Sequence, residues 1–523
     1  MNIKEYSVSR INIHVCLVFL CMVFVANGAR AMIALKKDSL PNVIIIYADD
    51  LGYGDISCYG ATKIHTPHID RLAQQGLKFT NAYATSSTCT PSRYSLLTGQ
   101  YAWRKEGTGI AAGDAPLIID TNRLTLAGMF KQVGYQTGVI GKWHLGLGKF
   151  PRTEWNNEVK PGPNELSFDY SFIIPATLDR VPTIFVKNHH IVHNDPNDPI
   201  TVNYKVPVGD EPTGKEHPEL LTMMYSHGHD QTIVNGISRI GYMSGGKAAR
   251  WKDEELAPIF AREAAQFMVQ NKERRFFLYY ALSDIHVPRL PNERFVGKSG
   301  LGPRGDVILQ LDWTVGQLLG TLDSLKLTEN TLIIFSSDNG PVLDDGYQDD
   351  AVEKQNGHKP GGDFRGGKYS KYEAGTRVPF IVQWPGVVQQ SAISSARISQ
   401  VDLFASLAEL THQQLKKGDA PDSHALLQVL LGKSQQGREW LVEQGNGLAL
   451  IKNNWKYIEP SSGQAINKFT NIELGNSPSP QLYNLQVDPG ETNNLSTAYP
   501  DKVKEMHELM TKIKHADLRS TAE

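Results

Sequence analysis

The sequence predicts an α/β fold: a large mixed, mostly parallel sheet sandwiched by helices, with a small C-terminal α+β subdomain. Three observations carry that prediction. Apolar, largely β-branched or aromatic runs at 43–47, 134–140, 276–282 and 332–335 read as strands of one buried sheet. Helical patterns lie between them: Val307, Leu311, Val315, Leu318, Leu319 and Leu322 recur at helical spacing before the last run. From about residue 436 the texture changes. Short segments at 440–443, 448–452 and 455–458 alternate with Gly and Asn turns, as in an antiparallel sheet.

Each remaining segment follows in order. Lys4 and Arg10 precede an apolar run at 11–26, and Ala29-Arg30-Ala31 is a small-x-small cleavage pattern. Residues 1–31 therefore read as a signal peptide, too short to span a membrane comfortably; an uncleaved anchor helix is the alternative. Cleavage leaves no stable membrane anchor and predicts a periplasmic or secreted product. Residues 32–435 form the large domain and 436–523 the small one. The stretch 149–252, rich in Pro and Asn and poor in periodicity, reads as an insertion carrying substrate contacts. A closing helix follows Pro500, with Val503, Met506, Leu509, Met510 and Ile513 on one face.

Composition excludes several classes. The 523 residues are 40% hydrophobic and 21% charged, which rules out a disordered chain and a multi-pass membrane protein. Lys+Arg 53 against Asp+Glu 55 leaves a net charge of −2, so no broad basic field exists to hold nucleic acid. Any anionic ligand must be met by a few local cations. Four cysteines, Cys16, Cys21, Cys58 and Cys89, cannot supply a disulfide framework. After cleavage only Cys58 and Cys89 remain, as a single bridge or with one of them doing chemistry.

The chemistry gathers at the ends of the predicted strands. Asp49-Asp50 follows the first, Lys142-Trp143-His144 the second, Asp284 and His286 the third, Asp338-Asn339-Gly340 the fourth. Open parallel sheets bind ligands at the carboxyl ends of their strands. A single strand-end Asp is most often a helix cap, and a lone His most often structural. Four such ends are better explained by one converging site. Asp49, Asp50, Asp338 and Asn339 offer only oxygen donors, which suits a hard divalent cation, Ca2+ in preference to Mg2+. The cation would invert a local field that otherwise repels an anionic substrate. Because the site lies at the sheet edge, replacing Asp338 is expected to leave the domain folded. In Cys89-Thr90-Pro91-Ser92-Arg93, Pro91 suits the first turn of a helix and Gly99 its end. Cys89 is thus expected at a helix N-terminus, a place that favours anions and also a reactive thiolate.

With those residues in view, the sequence resembles the type I sulfatases, the formylglycine-dependent branch of the alkaline phosphatase superfamily. The matching strings are Cys89-Thr90-Pro91-Ser92-Arg93 with Leu97-Thr98-Gly99, Asp49-Asp50-Leu51-Gly52, and Gly141-Lys142-Trp143-His144-Leu145-Gly146. Further matches are Ser337-Asp338-Asn339-Gly340, Arg365-Gly366-Gly367-Lys368, and Leu482-Tyr483-Asn484-Leu485 with Asp488-Pro489. The resemblance runs from about Pro41 to Leu495 and looks most like bacterial enzymes that desulfate polysaccharides. It departs from the family pattern chiefly at 156–246.

The resemblance implies an alkaline-phosphatase-like sheet and a set of roles. Cys89 would be converted by a formylglycine-generating maturase to formylglycine (3-oxoalanine), whose hydrate binds the cation and attacks sulfur. Cys89 thereby joins Asp49, Asp50, Asp338 and Asn339 as a metal ligand. Arg93 would hold the hydrate, Lys142 and Lys368 the sulfate oxygens. His286, with Lys368 helping, would protonate the leaving alcohol; His144 would take the proton that lets sulfate leave. For the substrate, a sulfated carbohydrate, Asp179 and Arg180 in the variable stretch are candidates for reading sugar hydroxyls, with His358, seven residues before Arg365 in a Gly-rich loop, a weaker third. An adjacent Asp-Arg pair is also a common surface ion pair. A long insertion walling the cleft predicts exo action on a terminal sugar. The alternatives are a phosphonate or phosphodiester hydrolase of the same superfamily, and an inactive sulfated-glycan-binding protein.

Overall fold

In the computed structural model, which describes residues 40–516, the chain enters the core at once through β1 (Asn42–Ala48), all seven of whose residues are buried. The N-terminal segment read as a signal peptide lies outside the described residues. Nine further strands complete the sheet: β2 (Leu77–Phe79), β3 (Gln136–Lys142), β4 (Tyr170–Ile174), β5 (Val186–Lys187), β6 (His190–Ile191), β7 (Phe276–Ala281), β8 (Thr331–Ser337), β9 (Phe380–Gln383) and β10 (Ala392–Ser394). Their order is β10-β2-β9-β8-β1-β7-β3-β4-β5-β6. The five central strands, β8 to β4, run parallel. Antiparallel neighbours flank them on both sides.

The predicted run at 134–140 begins two residues late. Gly134, at φ +82°, turns the chain out of the preceding helix, so β3 extends to Lys142 and ends on a charged residue. This slip places Lys142 at the carboxyl end of the sheet.

Helices cover both faces. On one, α2 (Leu256–Gln270) and α3 (Gly302–Leu325) press Phe260, Phe267, Ile308 and Leu311 onto Ile44 and Ile46. On the other lies α1 (Cys89–Thr98), whose Arg93 guanidinium sits 5.4 Å from the Tyr47 ring centre. β1 alternates its side chains between these layers, so it must be apolar at every position.

The C-terminal sheet is antiparallel, ordered β11 (Trp440–Gly445), β12 (Gly447–Lys452), β13 (Trp455–Ile458) and β16 (Gln481–Asn484), with a hairpin of β14 (Ile466–Asn467) and β15 (Ile472–Glu473) between the last two. The final helix α4 (Pro500–His515) buries Met506, Met510 and Ile513 against Val442, Leu450 and Tyr457. Tyr101 of the large domain enters the same cluster, and from Asn42 onward the chain is one compact unit.

The insertion buries Phe172, Ile174, Leu178, Phe185 and Trp251 in the main core and is also organised by a buried cation. Arg239, fully buried, donates to both oxygens of Asp253 at 2.9 and 2.7 Å and to the carbonyls of Leu178 and Val234. It thereby fixes the chain immediately before Asp179.

Candidate active site

The four strand ends meet. β1 delivers Asp49 and Asp50, β8 delivers Asp338 and Asn339, β3 delivers Lys142 and His144, and the loop after β7 delivers His286. All are buried. Asp50 (φ 58°) and His144 (φ 54°) occupy the left-handed region, a strained backbone for non-glycine residues that a converging site must impose. Gly141 is required where β3 passes β7, since a Cβ there would lie 1.8 Å from the Ala281 carbonyl oxygen.

Cys89 opens α1 as expected, with Pro91 in its first turn and Gly99 (φ 63°) closing it. Thr90 Oγ1 donates to the His144 carbonyl at 3.0 Å, tying the helix start to the end of β3. Cys58 and Cys89 are both free, so the bridge left open by the sequence does not form. Burial pushes the Cys89 thiol up, although Lys142 and Lys368 pull it the other way. That disfavours an unmodified thiolate nucleophile.

Cations and carboxylates alternate around Cys89. Lys142 Nζ donates to Asp49 at 2.6 Å, and Arg93 donates twice to Asp338 Oδ2 at 3.0 and 2.8 Å. Lys368 Nζ contacts three groups: Asp50 at 2.9 Å, Asp345 at 2.8 Å and His286 Nε2 at 3.2 Å. Burial alone would lower the Lys368 ammonium, but Asp345 and Asp50 hold it well above its ordinary value. Burial and Lys368 together push His286 down to about 4, so its ring is neutral and Nε2 is an acceptor for the lysine. His286 Nδ1 is occupied by the Val287 carbonyl at 2.7 Å. His144 is also held neutral, first by burial and then by Lys142 and Arg180. Its Nε2 contacts the Ala111 carbonyl at 2.9 Å, while buried Nδ1 has no partner among the described residues. A neutral ring with one free nitrogen can accept a proton.

The residues fit a hard cation. Asp49 Oδ1 and Asn339 Oδ1 are buried acceptors without a hydrogen-bond partner among the described residues. Asp338 Oδ1 accepts from the Asp50 N–H at 3.2 Å, and Asn339 Nδ2 donates to Asp50 Oδ1 at 2.8 Å, which links those three residues, while Asp49, Asp50 and His286 bring ligand atoms within 4.8 Å of one another. Oxygen donors with open valence are what Ca2+ or Mg2+ requires. The expectation that Asp338 could be lost without unfolding is corrected by its burial. It is fully enclosed and neutralises Arg93, so Asp338→Ala strands a buried guanidinium.

Asp179 and Arg180 lie beside the cluster. Asp179 is buried and Arg180 partly so, and the Arg180 charge helps to hold His144 down. The surface ion-pair reading therefore fails. Asp179 Oδ2 pairs with His229 Nε2 at 2.9 Å, leaving Asp179 Oδ1 and Arg180 Nε without partners among the described residues. Sequence reasoning missed His229 and Asp345. Ser226-His227-Gly228-His229, two histidines in a Gly-containing loop, was the available signal for the first. Asp345 sits in an aperiodic loop and is recognisable only by its contact with Lys368.

His358 does not join this group. Its Nε2 contacts Asp55 Oδ1 at 2.8 Å, and both Asp55 oxygens accept from Arg304 of α3 at 2.7 Å. The seven-residue spacing from Arg365 carried no information about which way the ring would point. Burial alone would raise the Asp55 carboxyl, but Arg304 and His358 outweigh it and hold it down at about 2. A depressed carboxyl adds stability that is complete above its ordinary value and lost as pH falls through about 2. Here that amounts to about 2–3 kcal/mol at neutral pH. Asp55→Ala, which also strands Arg304, is expected to lower unfolding free energy by about 3–5 kcal/mol in urea titrations at pH 7. A change under 1 kcal/mol (roughly the value of an exposed pair) would show the triad to be dispensable.

Comparisons with known proteins agree with this geometry. The sulfatase family profile matches residues 41–413. An N-acetylgalactosamine-6-O-sulfatase of Bacteroides thetaiotaomicron is 59% identical over 481 residues, covering 92% of this chain and 94% of that protein. A solved structure described with the metabolism of glycosaminoglycans by the same organism superposes with a TM-score of 0.90 at 59% identity, covering 91% of this chain and 99% of that chain. Human steryl-sulfatase is 32% identical over 426 residues, 76% of this chain and 71% of its own length. The chain belongs to the sulfatase family and is a sulfuric ester hydrolase.

Proposed function

We propose that the protein is an exported, Ca2+- and formylglycine-dependent carbohydrate sulfatase, removing a 6-O-sulfate from a terminal N-acetylgalactosamine. The observation that carries this reading is the ring of Lys142, Lys368, Arg93, His144 and His286 around Cys89, beside a buried Asp179–His229 pair. The relative of that name at 59% identity supports the sugar. Export rests on the N-terminal sequence, and a formylglycine-generating maturase is the partner the reading requires.

A Ca2+ held by Asp49, Asp50, Asp338 and Asn339, with a formylglycine made from Cys89, supplies an activated oxygen nucleophile for sulfur. The chain's own residues do the rest. Lys142 and Lys368 place positive charge against the sulfate as negative charge develops on its oxygens. Lys368, hydrogen-bonded to His286 Nε2, carries the proton that the far more basic departing alkoxide takes up, so the pair can protonate the leaving alcohol. His144 Nδ1, neutral and without a partner, takes the proton whose loss releases sulfate. Asp179 Oδ1 and Arg180 Nε meet sugar hydroxyls, and a sugar lacking those hydroxyls leaves them unpaired.

Sulfate release from a panel of N-acetylgalactosamine and N-acetylglucosamine sulfates, at the 4- and 6-positions, tests the reading. The 6-sulfated galacto sugar is expected to react fastest. Faster turnover of nitrophenyl phosphate esters than of nitrophenyl sulfate would overturn it in favour of a phosphoester hydrolase. Arg180→Ala is expected to lower kcat/KM for the natural sugar by about 2–4 kcal/mol of transition-state stabilisation, and for nitrophenyl sulfate far less. Equal losses on both substrates would make Arg180 structural.

A further inference from the structure

The hairpin between β14 and β15 carries an oddity at its tip. Phe469 is 51% exposed, and Lys468 beside it makes no ion pair among the described residues. The exposed ring is nonetheless ordered by a specific contact. It stacks on His227 of the insertion, with ring centres 4.8 Å apart and planes 18° from parallel. Lys468 Nζ lies 4.8 Å from the Phe469 ring centre.

This ledge is continuous with the sugar pocket. The His227 carbonyl accepts from His229 Nδ1 at 2.7 Å, and His229 Nε2 reaches Asp179. The His227 and His229 ring centres are 6.0 Å apart, so two ring-to-ring steps lead from the pocket wall to the hairpin tip.

Both sides of the ledge are tied to the catalytic lysine. Glu473 of β15 accepts from Arg365 at 2.7 and 2.5 Å, and its carbonyl accepts from Ser370 Oγ at 2.6 Å; Lys368 lies between those two residues in sequence. On the insertion side, Ser226 Oγ donates to Asp344 at 2.6 Å, and the next residue, Asp345, holds Lys368. The ledge is therefore fixed relative to the reacting group.

We propose that Phe469 and His227, with Lys468, form a second sugar subsite that takes the residue attached to the sulfated sugar and favours a negative charge on it. A pyranose presents a C–H-rich face that packs on an aromatic ring, and an exposed aromatic next to a polar pocket marks a binding surface. A lysine beside it, with no ion pair among the described residues, is complementary to a carboxylate or sulfate. The inference rests on the carbohydrate reading above and extends it from one sugar to two.

The test compares kcat/KM on N-acetylgalactosamine-6-sulfate with kcat/KM on disaccharides bearing that sugar at the non-reducing end. The second residue is either a uronic acid or its neutral counterpart. Phe469→Ala is expected to lower the disaccharide-to-monosaccharide ratio about ten-fold, and Phe469→Trp to keep it. Lys468→Ala is expected to lower the ratio for the uronate alone and to flatten its dependence on salt. Val487→Ala, an exposed apolar residue elsewhere, is the control and should keep the wild-type ratio. An unchanged ratio in Phe469→Ala, or both substrates falling together, overturns the subsite. No turnover of any of these sugars by the wild type overturns the carbohydrate reading instead.

Discussion

Active enzyme is expected to carry oxygen in place of sulfur at Cys89 by peptide mass spectrometry, and Cys89→Ala to lower kcat by about 10⁵-fold or more. Removing a covalent nucleophile from an intact site leaves only the catalysis that charge and positioning provide. Cys89→Ala changes volume little at a helix start, so circular dichroism and Tm should remain near wild type. Full activity with an intact thiol at Cys89 would sink the assignment. So would equal activity in Cys89→Ala.

The second large effect is expected from the cation. Dialysis against a calcium chelator should lower turnover more than a hundred-fold, and added Ca2+ should restore it. The unpartnered Asp49 and Asn339 oxygens motivate this expectation. A ligand bound only by the folded state at a thousand times its Kd adds about 4 kcal/mol of stability, so Tm should also fall on chelation. Asp338→Ala is a poorer probe because it strands Arg93 and costs about 3–5 kcal/mol on that account alone. Asp338→Asn keeps the shape and removes the charge. Stoichiometric zinc, or active protein without metal, would overturn the assignment.

The core of this molecule was legible because its strands are apolar without interruption. Residues 43–47, buried on both faces, have no polar position to confuse the period, and α3 repeats leucine and valine at helical spacing over several turns. Two strands at one flank of the sheet were not legible: Leu77–Phe79 and Ala392–Ser394 are three residues each, too short for any pattern, and their pairing is set by the tertiary fold. Asp49, Asp50, Lys142, His144, His286, Asp338 and Asn339 could be read because they follow strands. His229, Asp345 and Phe469 could not, since each sits in an aperiodic loop and is positioned by partners far along the chain. His358 shows the converse. A histidine near a motif in sequence turns instead toward Asp55, where its Nε2 lies 2.8 Å from a buried carboxylate oxygen.

The burial of α1 has a bearing on biosynthesis. All ten residues from Cys89 to Thr98 are buried, and Cys89 is 2% exposed. An enzyme that must grip Cys89 and the four residues after it finds no purchase on the finished fold. On the proposed reading, conversion has to come first, while the segment is still an extended peptide. Folding then seals whatever chemistry that peptide carries, and a molecule that folds unconverted is committed to remaining so.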